Sequence, residues 1–66
     1  MKFKLELTAD NDAFDVNLPG LEVARILRET ADRLDQQPGL VTGMLRDLNG
    51  NHVGKWELTR ARRRDR

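Results

Sequence analysis

The chain contains no cysteine and, along its whole length, no serine. Without cysteine there is no disulfide to staple the fold. Thiol catalysis, iron–sulfur clusters and cysteine-ligated zinc are excluded with it. Without serine, cysteine or tyrosine, a hydroxyl or thiol nucleophile would have to be one of the threonines at 8, 30, 42 and 59, which are scattered along the chain. No apolar run approaches the roughly 18 residues needed to cross a membrane. The start, Met1-Lys2-Phe3-Lys4, is charged but leads into no apolar core of a signal peptide. No glycine-rich phosphate cradle follows a strand-like segment. Aromatic residues are few, two Phe and one Trp.

What remains is small and charged. Sixty-six residues make one domain, of a size that buries only about 60% of its unfolded surface. Self-association is therefore expected as a way of completing the core. The net charge of +1 conceals an asymmetry. Residues 60–66 carry five arginines and one aspartate, so residues 1–59 are net −3. We expect an acidic domain over 1–59 followed by a flexible basic tail over 60–66.

Residues 2–8 alternate, with Phe3, Leu5 and Leu7 on one side and Lys2, Lys4, Glu6 and Thr8 on the other. This is the pattern of a half-buried strand. Residues 9–20 are rich in Asp, Asn, Pro and Gly and predict a loop, with Phe14 folding back over the core. Residues 21–37 predict a helix. At ~100° per residue, Val23, Ala24, Ile26, Leu27, Thr30, Ala31 and Leu34 share one arc. Glu22, Arg25, Arg28, Glu29, Asp32, Arg33 and Asp35 fill the opposite arc, with i,i+4 pairs Arg25–Glu29, Arg28–Asp32 and Glu29–Arg33. Pro38-Gly39 ends the helix.

Residues 40–59 predict a hairpin around Asp47-Leu48-Asn49-Gly50, a type I turn with Gly50 left-handed. Its pairing sets Leu45 against Val53 and Thr42 against Trp56. Leu40, Thr42, Met44, Trp56 and Leu58 would then face the helix. Val41, Gly43, Leu45 and Val53 would form an apolar strip on the outer side. The expected fold is α+β, β-α-β-β, with a three-stranded sheet of order 1-3-2 in preference to 1-2-3, packed on one amphipathic helix.

Few residues suggest chemistry. His52 follows the hairpin turn without a nucleophile to serve. Asp47-x-Asn49-x-Asn51 matches the first ligand positions of a calcium loop, but the sixth position is His52 and the twelfth Leu58. Asp10, Asp12 and Asp15 supply too few carboxylates for a loop site. We expect no enzyme activity, no metal and no cofactor. Two surfaces remain as candidates. The strip Val41, Gly43, Leu45 and Val53 would serve a homodimer or a partner protein, and the unpaired edge of the strand over 40–46 offers a second route to the homodimer. The tail Arg60, Arg62, Arg63, Arg64 and Arg66 could neutralise nucleic-acid phosphates in a salt-dependent way.

A resemblance adds to this. The run Glu22-Val23-Ala24-Arg25-Ile26-Leu27-Arg28, the later Ala31-Asp32-Arg33-Leu34, and the hairpin Leu45-Arg46-Asp47-Leu48-Asn49-Gly50-Asn51-His52-Val53-Gly54 with Trp56-Glu57-Leu58 resemble small proteins encoded by bacteriophages and prophages. Asp10-Asn11 and Phe14 fit as well. The likeness covers residues 1–59, and no activity is attached to the group, so no functional residue carries over. It implies an accessory protein in the cytoplasm of a bacterial host cell, binding a host protein to regulate or inhibit it. Nucleic-acid binding through the tail is the alternative, and no membrane association is expected.

Overall fold

The fold was obtained as a computed structural model, which describes residues 1–10 and 13–60. The elements run β1 (Lys2–Leu7), α1 (Pro19–Gln36), β2 (Thr42–Arg46) and β3 (His52–Thr59). The sheet order is β1-β3-β2, with β3 antiparallel to both neighbours. The architecture is thus the expected α+β arrangement. No helix among the described residues is long and apolar enough to cross a membrane.

The hairpin turn forms as its residues dictate. The Gly50 N–H donates to the Asp47 carbonyl at 3.0 Å, and Gly50 adopts φ +85°. Beyond the turn the register departs from the expected one. Arg46 does pair with His52, but the ladder then shifts between Leu45 and Arg46. Leu45 faces Gly54, Gly43 faces Trp56 and Thr42 faces Glu57. Val53 is the extra residue of a β-bulge, which reverses the alternation along β3.

That single residue exchanges the faces of β2. Leu45, at 2% exposed, lies in the core beside Trp56 at 1%, whereas Met44 is 60% exposed on the outer side. The expected outer strip is corrected accordingly. Leu45 and Val53 are core residues, Gly43 lies half-buried against Trp56, and only Val41 is exposed. The physical reason is that the bulge lets Val53, Trp56 and Leu45 all point inward. The straight register would have left Leu45 and Val53 in water.

The core comprises Phe14, Ile26, Leu45, Val53 and Trp56, with Leu5, Leu7, Val23, Leu34, Leu40 and Leu58 packed around it. Phe14 closes it from the loop, as expected. Trp56 is buried between sheet and helix, and its ring lies 5.7 Å from that of Phe3. The helix is rolled relative to the expected apolar arc. Its buried stripe is Glu22, Ile26 and Thr30, and Leu27 is left 46% exposed. Thr30 satisfies its hydroxyl by donating to the Ile26 carbonyl at 2.9 Å. Of the three i,i+4 pairs, Arg25–Glu29 closes at 3.6 Å.

Candidate protein-interaction site

The helix start and the hairpin tip meet at one end of the molecule. Asp15 shapes the approach, its Oδ1 accepting from the backbone N–H of Asn17 at 2.7 Å and of Leu18 at 3.2 Å. Pro19 then opens α1 with its φ already helical. The turn of chain that follows brings Glu22 inward, although the wheel pattern assigns it to the charged arc.

Glu22 is buried and fully engaged. Its two carboxylate oxygens accept from Arg25 Nε at 2.8 Å and Arg25 Nη2 at 2.9 Å, a bidentate pair. Oε2 also accepts from the Leu48 backbone N–H at 2.7 Å. Arg25 Nη2 reaches on to the Arg46 carbonyl at 3.2 Å. The Arg25 guanidinium holds the Glu22 carboxyl below its ordinary range, with help from the Leu48 N–H and against the cost of burial. The same pairing raises Arg25.

Asp47 rigidifies the tip from within. Its Oδ1 accepts from the N–H groups of Asn49 at 2.9 Å and Asn51 at 2.8 Å, and its Oδ2 from Asn51 Nδ2 at 3.2 Å. The Asp-x-Asn-x-Asn pattern is thereby accounted for as an internally bonded turn. Among the described residues no group of three or more His, Asp or Glu side chains is placed to hold a metal ion. His52 is exposed, and its Nε2 donates to the Gly54 carbonyl at 2.9 Å.

Exposed apolar residues accompany this polar latch. Leu18 and Leu21 lie at the helix start and Leu48 at the hairpin tip bonded to Glu22, and with Val16 of the preceding loop they are 58 to 90% exposed. The Leu48 bond to Glu22 sets the hairpin tip one residue from Leu21, and the Leu21 N–H donates to the Leu18 carbonyl at 3.1 Å. The sequence pattern marks Val16 and Leu18 only as apolar exceptions in a polar loop and assigns none of the four a role. Two signals were present: Leu21 falls within the charged arc of the helix, and Leu48 occupies a turn position that usually takes a polar residue.

The basic tail begins where β3 ends. Arg60 is exposed, while Arg62, Arg63, Arg64 and Arg66 lie outside the described residues. No protein-family model matches this chain, and neither a curated protein nor a solved structure does.

Proposed function

We propose that this chain is a phage-type accessory protein that binds a protein of its bacterial host and acts by occupancy, as an inhibitor rather than by chemistry of its own. The observation that carries this reading is the exposure of the aliphatic side chains Val16, Leu18, Leu21 and Leu48. Leu18, Leu21 and Leu48 are exposed on backbone that the Leu21–Leu18 and Leu48–Glu22 hydrogen bonds fix, which lowers the ordering cost of binding there. The resemblance to phage-encoded proteins supplies the host as the source of the partner. Self-association belongs to the same reading, because so short a chain completes its core only narrowly.

The test is capture from bacterial lysate on immobilised chain. A protein retained by the native chain, and lost on Leu21→Asp/Leu48→Asp, is the expected result. Both substitutions fall on exposed positions, and Trp56 fluorescence checks that the variant folds. Retention unchanged by the double substitution would overturn the placement.

Nucleic-acid binding through Arg60, Arg62, Arg63, Arg64 and Arg66 is the second reading, favoured by five arginines among seven residues. It predicts that removing residues 60–66 abolishes retention of nucleic acid and that affinity falls steeply with salt.

A further inference from the structure

The sheet has two edges, and they differ. At the β2 edge the Arg46 carbonyl is taken by Arg25, and Arg25, Glu29 and Arg33 of the helix stand beside Met44 and Arg46. At the β1 edge, among the described residues, β1 pairs only with β3. Six residues there carry no proline and no bulge, and the charges of Lys2, Lys4 and Glu6 discourage any further strand that does not set opposite charges against them.

The backbone phase of this edge follows from one hydrogen bond. The Thr8 N–H donates to the Val53 carbonyl at 2.8 Å. Backbone groups alternate in direction along a strand, so even-numbered residues of β1 bond to β3. The N–H and C=O groups of Phe3, Leu5 and Leu7 therefore point outward, unpaired by the sheet.

We infer that the β1 edge pairs with the β1 edge of a second copy of this chain, antiparallel about a two-fold axis at Leu5. This deepens the self-association proposed above and rests on it. In this register Leu5 faces the partner's Leu5 and Phe3 faces the partner's Leu7, so all three outward residues of each strand bond across the seam. Lys4 faces the partner's Glu6, and Glu6 the partner's Lys4. Because Lys4 pairs with Glu57 and Glu6 with Lys55 within the sheet, the outer face reads the partner's Lys55, the partner's Glu6, Lys4, Glu57. The charges alternate across all four strands.

The neighbouring registers lack this complementarity. An axis at Lys4 sets Lys4 against the partner's Lys4. An axis at Glu6 sets two glutamates face to face, and one at Phe3 sets Lys2 against the partner's Lys4. An axis at Leu7 shortens the overlap. Like charges directly opposite are destabilising on a sheet face, so the pattern selects the axis at Leu5.

The apolar side agrees. Phe3 is 49% exposed on the helix-facing side of β1. Leu27 lies on the flank of α1 opposite Arg25, Glu29 and Arg33 and so overlooks β1 rather than β2. A second copy joined at this edge would set Phe3 beside the partner's Leu7. It would also bring the two Leu27 flanks to the same side of a continuous six-stranded sheet.

Sedimentation at tens of micromolar tests this, with Lys4→Glu and Glu6→Lys prepared as separate chains. The native chain is expected to sediment as a dimer. Each variant alone places two pairs of like charges across the seam and should dimerise about tenfold more weakly or worse. Mixed one to one, the variants restore opposite charges at both contacts and should recover the dimer, a rescue that misfolded chains would not show. A native dimer that both variants retain would overturn the β1 edge and leave self-association standing. A native monomer would overturn both.

Discussion

The indole of Trp56 occupies the space into which a side chain at Gly43 would project: a Cβ there would overlap Nε1 and the six-membered ring. The two residues are direct partners across β2 and β3, so the bare backbone at 43 is what allows the largest side chain of the core to pack there. Gly43→Ala should therefore cost about 1–3 kcal/mol through overpacking. Urea unfolding followed by Trp56 fluorescence measures it, and an unchanged midpoint would contradict the packing.

The bulge at Val53 decides which face of β2 is buried. Leu45→Asp should place a charge in the core and cost about 3 kcal/mol or more, a large part of the stability of a small domain. Met44→Asp, one residue away on the outer face, should stay within about 0.5 kcal/mol. Thermal unfolding of the two variants side by side reads the register directly. The straight register would reverse their order.

Glu22 ties folding to pH. Its carboxyl titrates below the unfolded value of 4.5, so its contribution is complete above that value and disappears as pH falls through the lower folded value. Glu22→Gln removes the charge from the bidentate pair with Arg25 and should cost about 1–2 kcal/mol at neutral pH. The difference between native and variant stability should shrink as the pH is taken below 4.5. A difference that persists undiminished in acid would show that the carboxylate is not the stabilising form.

Much of the fold is legible in the residues. The alternation of Phe3, Leu5 and Leu7, the Asp47–Gly50 turn and the stop at Pro38-Gly39 each have a local cause, and with the right-handed crossover they leave two strand orders, of which the preferred one, β1-β3-β2, is the one formed. Two features do not follow from local pattern. The bulge at Val53 arises because burying Leu45, Val53 and Trp56 together outweighs an unbroken ladder, a comparison that only the assembled core can make. The roll of the helix follows from Glu22, whose charge marks it as exposed until Arg25 and the Leu48 N–H are found waiting for it. The apolar end at Leu18, Leu21 and Leu48 was hidden for the same reason, since it exists only once hairpin tip and helix start are joined.

The central claim is that recognition is apolar and directed at a protein. The most direct measurement is retention of the captured partner across a salt series, on the native chain and on the chain lacking residues 60–66. The account predicts a protein held nearly equally by both chains, with little loss as salt rises. Retention that collapses with salt and disappears with the tail would contradict it and assign the function to the arginines.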